Sequence, residues 1–244
     1  MGCERMHYFG GKNRSGEELA YVINKYTKNK DFYSLFTGSG GVEQHINAKN
    51  KYYNDLHFAL EPLYTNLMKG WIPSVGELKE KYSLKGTDYY SDIIPLQQKL
   101  KKQLQEKNPN IDYSSPYLAI LGFGCSFLGK WMVTPARDIE KRDFFQQACN
   151  GIIKKVENGL VRNLVSFSKK DYSFYNFMKG AVVYLDPPYS NTSGYSVGEF
   201  DSNKFWDFVR WLSKDNKKKN FFQFYLCIIL PFALLDKNAH VIIW

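Results

Sequence analysis

Ala181-Val182-Val183-Tyr184-Leu185-Asp186-Pro187-Pro188-Tyr189 is an apolar run that ends in a carboxylate, two prolines and an aromatic ring. The first five residues predict a strand, and that strand delivers the last four to a single loop of an α/β fold. Asp186 can accept one N–H of a planar amine through its carboxylate, and the backbone carbonyl of Pro187 can accept a second. Acceptors placed in this way free the delocalised nitrogen lone pair of an exocyclic amino group and stabilise the positive charge that develops there. Pro187 and Pro188 fix φ and offer no competing N–H, so the loop is stiff. Tyr189 presents a face on which an extracted base can stack, an interaction typically worth roughly 1–3 kcal/mol. The same four residues also have the composition of an ordinary turn, so the reading depends on what accompanies them.

Upstream, the expected strand Phe32 to Leu35 runs into Phe36-Thr37-Gly38-Ser39-Gly40-Gly41, and Val42 to Ala48 has spacing compatible with a helix. Glycines between a strand and a helix let backbone N–H groups approach a ligand at the helix N-terminus. A second short run, Lys51 to Asn54, ends at Asp55, roughly 20 residues on, about where a nucleoside-binding α/β unit places the acid that grips a ribose. Taken alone, Asp55 is equally a helix N-cap for Leu56 onward or a solvated loop acid.

Four segments in this order, Tyr8-Phe9-Gly10-Gly11-Lys12, Phe36-Thr37-Gly38-Ser39-Gly40, Asn54-Asp55 and Asp186-Pro187-Pro188-Tyr189, resemble the Dam-like class of DNA adenine-N6 methyltransferases, which depend on S-adenosylmethionine. The resemblance implies a Rossmann-like sheet, mixed and seven-stranded in intact members, with a mostly helical insertion that recognises DNA. It implies catalytic roles for Asp186, Pro187, Pro188 and Tyr189, and a cofactor pocket lined by Tyr8, Gly10, Gly11, Lys12, Phe36, Gly38, Gly40, Asp55 and Asp186. It divides the chain into a catalytic domain of residues 1–58 and 171–244 and a target-recognition insertion of residues 59–170. Within the wider group, Ser in the first position of the tetrad marks many cytosine-N4 enzymes and Asn marks glutamine- or RNA-directed ones. Asp186 therefore points to adenine N6. The class usually carries Asn two places after the ribose acid, where this chain has His57.

The chain has 33 Lys and Arg against 24 Asp and Glu among 244 residues, a net charge of +9, which suits a polyanionic partner. Duplex DNA is the expected partner, with a cognate restriction endonuclease as a further one. Cys3, Cys125, Cys149 and Cys227 are scattered without close pairing, which fits a reducing cytoplasm. None follows a proline as the nucleophile of a cytosine-C5 enzyme does. No Cys/His spacing suggests a metal, and no membrane span or signal peptide is expected.

Within the insertion, Ile94, Leu96, Leu100 and Leu104, with Gln97, Gln98, Lys101 and Lys102 between them, predict an amphipathic helix. Phe123 to Trp131, followed by Pro135-Ala136-Arg137-Asp138 and Lys141-Arg142, mixes glycine, aromatics and cations. Lys130, Lys141 and Arg142 are expected on phosphates, with Trp131 and Arg137 toward bases. A packed aromatic turn with solvated cations has the same composition. After the tetrad, Asn191-Thr192-Ser193-Gly194-Tyr195 reads as a loop over the base or as a plain linker. Ser202 reads as the N-cap of a helix with apolar positions Phe205, Phe208, Val209 and Leu212.

Beyond Lys217-Lys218-Lys219 the resemblance ends. The class continues with a strand and a Ser-Glu-Tyr-like turn, whereas Asn220 to Leu235 is a nearly unbroken apolar run interrupted by Pro231. A divergent or out-of-frame end would leave the sheet short of its last strands. Two alternatives therefore stand beside a DNA adenine methyltransferase: a silent DNA-binding remnant, and an enzyme acting on RNA adenines.

Overall fold

The computed structural model describes residues 6–175, 180–188, 200–218, 225–228 and 241–243. Its centre is a sheet of six strands: β1 (Asp31–Ser34), β2 (Asn50–Asn54), β3 (Leu164–Ser168), β4 (Val182–Leu185), β5 (Tyr225–Ile228) and β6 (Val241–Ile243), in the spatial order β3-β2-β1-β4-β5-β6. The strands expected at 32–35, 51–54 and 181–185 form within a residue of those bounds.

Every pairing among the described residues is parallel, where a mixed sheet of seven strands was expected. Positions 229–240 separate β5 from β6, long enough for the crossover that parallel strands require. The apolar run after the lysine triplet thus supplies β5, which pairs with β4 from Val182↔Tyr225 to Leu185↔Ile228.

Side chains on the central strands alternate between two cores with the period of two that a pleated strand imposes. Phe32, Tyr53, Val182 and Tyr184 face one core, shared with Leu19, Leu63, Leu121 and Phe145. Tyr33, Val183 and Leu185 face the other, covered by Phe205, Phe208, Val209 and Leu212. Tyr33 sits opposite Tyr52 in the register, their rings stacked at 4.6 Å. The first face is packed by α1 (Gly16–Thr27), α2 (Leu60–Met68), α3 (Val75–Tyr82), α4 (Ile94–Gln105), the short α5 (Tyr117–Ala119) and α6 (Phe144–Asn158); α7 (Ser202–Lys218) covers the second.

Three local readings change. Val42 to Ala48 does not form a helix: a single 3₁₀ turn, Glu43–His45, is followed by extended backbone at Ile46. The cause lies on α1, where Asn24 Nδ2 donates to His45 O, Asn24 Oδ1 accepts from Asn47 N–H and Thr27 Oγ1 donates to Asn47 O. These contacts take the backbone groups that a helix would use. At the start of α7 the cap is Asp201 rather than Ser202, its Oδ1 accepting from Lys204 N–H at 3.0 Å. In α4, Gln97, set among the polar positions of the predicted amphipathic helix, is buried and donates to Leu121 O and Ser126 Oγ.

The expected boundary at residue 170 does not coincide with the edge of the sheet. β3 lies inside the stretch 59–170 and pairs with β2. That stretch also shares one continuous core with the sheet, through Tyr117, Leu118, Leu121, Phe145 and Ala148, so it does not have a core of its own.

Candidate active site

Parallel strands bring their C-terminal ends to one edge, and the chain order reverses between β1 and β4, which opens a crevice there. A cleft at that edge is lined, among the described residues, from four strand ends and three covering segments: 35–43 after β1, 54–57 after β2, 170–172 after β3 and 184–188 around the end of β4, with 8–12, Phe123 and Trp131, and Phe200 to Lys204 around them. All the residues expected at the cofactor pocket except Gly40 are among the lining residues.

The glycine loop is held from beneath. Tyr64 Oη donates to Gly38 O at 3.1 Å, Lys155 Nζ donates to Ser39 O at 2.7 Å and Ser39 Oγ at 3.1 Å, and Tyr53 Oη donates to Glu43 O. Gly38 and Gly40 have φ of 52° and 73°, left-handed backbone that L side chains rarely adopt. A Cβ on Gly40 would lie 2.3 Å from Leu160 Cδ1 and 2.8 Å from Tyr64 Oη. Gly40→Ala is therefore expected to destabilise the fold by about 2 kcal/mol, read as a lower urea midpoint. An unchanged midpoint would mean that the loop is not pinned at this residue.

Across the loop lies the N-terminal segment. Phe9 N–H donates to Gly129 O, and the Tyr8 ring packs so closely on Gly38 that a Cβ there would meet it at 2.7 Å. This fold-back carries Lys12 to Asp186, 174 residues away in sequence. The ammonium donates to Asp186 Oδ1 at 2.8 Å, to Oδ2 at 2.7 Å and to Gly10 O at 3.1 Å. Burial pushes the Asp186 carboxyl above the ordinary carboxylate range, while Lys12 and a hydrogen bond from Tyr184 favour the ionised form. Pro187 is buried and Pro188 lines the cleft. Tyr189 and the 191–195 loop lie outside the described residues.

At the β2 side, Asp55 Oδ2 accepts from Gly38 N–H at 2.8 Å and Oδ1 from His57 N–H at 3.0 Å. Burial raises its pKa to about 6 against these two hydrogen bonds. A third carboxyl, Glu43, was not anticipated. It is 2% exposed, lines the cleft, and accepts a hydrogen bond from Ser34 Oγ at 2.6 Å. Burial raises it to about 7, with the nearby Asp186 charge acting in the same direction. Five carboxyls, Glu43, Asp55, Asp171, Asp186 and Asp201, and three lysines, Lys12, Lys170 and Lys204, thus line one cleft, with Lys12 tied to Asp186 and Lys204 to Asp171. Such a site favours a ligand that carries positive charge.

The expected DNA contacts are distributed unevenly. Lys130 lies 4.8 Å above the Phe9 ring, while Arg137 and Lys141 are exposed. Arg142 is engaged by Asp138 and, at 3.6 Å, by Glu140. Trp131 turns inward: its ring centroid is 4.3 Å from that of His57, and a Cβ on Gly122 would meet it at 2.0 Å. It is a wall of the cleft rather than an exposed stacking platform.

Among the described residues no cluster of His, Cys, Asp and Glu could hold a metal, and no helix is long and apolar enough to cross a membrane. Burial pushes the Cys149 thiol up to about 12 and that of Cys125 well above its usual value, so neither is a thiolate nucleophile.

A family model described as D12 class N6 adenine-specific DNA methyltransferase matches residues 8–223. That span takes in all four motif segments and stops just before β5. No curated protein matches the chain.

Proposed function

The chain belongs to the D12 class of N6 adenine-specific DNA methyltransferases, which methylate N6 of adenine in DNA with S-adenosylmethionine as donor, and we propose that the cleft between β2 and β4 carries out this reaction on adenines turned out of duplex DNA. The observation that carries the assignment of the site is the Lys12–Asp186 ion pair at the end of β4, in one cleft with Asp55 and the glycine loop.

The residues present fit the donor. Acidic side chains outnumber lysines in the lining of the cleft, which suits its positive charge. Asp55 would hold the ribose hydroxyls, with the loop from Phe36 to Gly40 and Tyr8 around the remainder. Bound there, the donor supplies an electrophilic methyl group on a cationic sulfur.

Asp186 holds a fixed acceptor beside the incoming amine. Lys12 occupies one direction on each carboxylate oxygen, which leaves lone pairs for an N6 hydrogen. The Pro187 carbonyl accepts the second N6 hydrogen. Together they favour pyramidal nitrogen and stabilise its growing positive charge. The proton passes from N6 to solvent water after the N–C bond has formed, so Asp186 acts as acceptor and electrostatic stabiliser rather than as a strong base. Extruding the base costs a few kcal/mol, offset by stacking and by hydrogen bonds to its edge. Tyr189 is proposed as the stacking face. Lys130, Arg137 and Lys141 are proposed phosphate contacts, with Arg142 available once released from Asp138.

The test is transfer of labelled methyl from S-adenosylmethionine to mixed-sequence duplex DNA, followed by nucleoside analysis. Label is expected in N6-methyladenine and is not competed away by RNA. Label in a cytosine product, preference for RNA, or DNA binding without transfer would each overturn the reading.

A further inference from the structure

Along α6 the buried positions Phe145, Ala148, Ile152 and Lys155 recur at intervals of three and four, the stripe that an amphipathic helix turns to a core. The last of them is a lysine, 5% exposed. Burying an ammonium is costly unless its N–H groups and its charge are answered, and an apolar residue would complete the stripe at less cost. Packing alone therefore does not call for a lysine there. Its partner is Ser39 in the glycine loop, 116 residues away in sequence: Lys155 Nζ donates to the carbonyl oxygen at 2.7 Å and to Oγ at 3.1 Å. The nearby Glu43 carboxyl opposes its charge.

Three features give this contact its consequence. First, Gly38, Gly40 and Gly41 surround Ser39, and glycine has more backbone freedom to lose than any other residue. Ser39 is thus the one position of 38–41 with a side chain by which the loop can be gripped. Second, the grip comes from a fixed point, because Lys51 Nζ donates to Gly159 O at 2.6 Å and Tyr53 Oη donates to Leu160 O at 3.0 Å, which tie the end of α6 to β2. Third, Ser39 belongs to the lining of the cleft, whereas Lys155 stands behind it, outside that lining. Lys155 acts through Ser39. On the other side of the loop, a Cβ on Gly11 would lie 3.4 Å from Ser39 Oγ, so this serine is also where the loop meets the segment that carries Lys12.

We infer that Lys155 is a positioning residue for donor binding, which holds the carbonyl and hydroxyl of Ser39 and so sets the glycine loop in its binding shape before the donor arrives. This inference rests on the proposed placement of the donor in the cleft. Ordering that a loop has not already undergone is subtracted from binding, so loss of the anchor weakens donor affinity. The chemical step is spared, because Lys12 and Asp186 keep their own ion pair. A residue from the stretch 59–170, expected to read DNA, serves the donor instead.

The test is calorimetric affinity of the full chain for S-adenosylhomocysteine, with single-turnover methyl transfer at saturating donor and urea unfolding measured on the same proteins. Lys155→Met keeps an unbranched apolar stem and removes the N–H donors. It is expected to bind about 10-fold more weakly, with a rate at saturating donor within about threefold of the parent's. Lys155→Arg keeps both charge and donors and should recover most of the affinity. Ser39→Ala removes only the hydroxyl end of the contact; it should lose about threefold in the parent and nothing further in Lys155→Met. Affinity equal to the parent's in folded Lys155→Met, or in Ser39→Ala where Lys155→Met does not fold, would overturn the inference, since a merely structural lysine lowers the urea midpoint and leaves the affinity of the folded protein alone. A rate at saturating donor that falls as far as the affinity would overturn it too. Absence of any S-adenosylhomocysteine binding by the parent protein would instead overturn the donor placement on which it rests.

Discussion

Replacing Asp186 with Ala is expected to lower the rate of methyl transfer at saturating donor and DNA by about 10³-fold. Removal of one group aimed at developing charge in a low-dielectric site typically costs 10²–10³-fold, and this change removes both an acceptor and the charge that opposes the cationic nitrogen. It also leaves the Lys12 ammonium, bonded to both carboxylate oxygens, facing the place where that positive charge forms. Asp186→Asn separates the two contributions. The amide oxygen still accepts one hydrogen bond, so Asn should retain more activity than Ala while losing the electrostatic share. Single-turnover rates on pre-bound DNA measure this directly, because neither Lys130, Arg137 nor Lys141 is touched and DNA affinity is expected to hold within a few-fold. A rate for Asp186→Ala above a tenth of the parent's would show that the amine is activated by other groups.

The parts of the fold that were legible share a property: their signals are local. Ala181 to Leu185 is an apolar run and Phe32 to Leu35 a largely apolar one, each ending at a motif, and burial on both faces of a parallel sheet produces such runs. The meeting of Lys12 with Asp186 was implied only by motif order, since no local pattern links residues 174 apart. What could not be read depends on distant partners. Val42 to Ala48 has helical spacing, yet Asn24 and Thr27 capture its backbone. β3 is an edge strand with a mostly exposed or half-buried pattern, so it lacked the apolar run that marked the central strands. Trp131 beside Lys130 suits base stacking or packing equally well, and the choice is made by the bare backbone of Gly122 beneath its ring. Asp55 and the glycine loop were found because both lie directly at strand ends. Glu43 was not, because its significance comes from Ser34 on β1, whose hydroxyl is aimed at a carboxyl nine residues later.

Glu43 also makes the second large prediction: Glu43→Gln should stabilise the ligand-free protein at pH 8 by about 3 kcal/mol and leave it unchanged at pH 4. The folded carboxyl titrates near 7 and the unfolded one near 4.5. The folded state therefore binds more protons between those values. Its stability falls as pH rises from about 4.5 through about 7 and is flat beyond, and a shift of this size corresponds to about 3 kcal/mol. Gln preserves an oxygen acceptor for Ser34 Oγ and removes only the ionisation. Asp55, raised to about 6 for the same reason, stays in both proteins and cancels from the comparison. The groups facing Glu43 are the Ser34 hydroxyl, the Tyr53 and Tyr64 phenols, the Asp186 carboxylate, and the Lys155 and Lys51 ammonium groups. The two lysines already moderate the penalty, and a donor of opposite sign in the cleft would remove more of it. Urea unfolding of both proteins across pH 4 to 9 measures the difference, and parallel curves would show that Glu43 does not ionise in this range. Curves that converge at low pH as expected would show that the fold keeps a costly buried acid beside Asp186, the proposed catalytic carboxylate, a pattern consistent with stability traded for the binding of a cation.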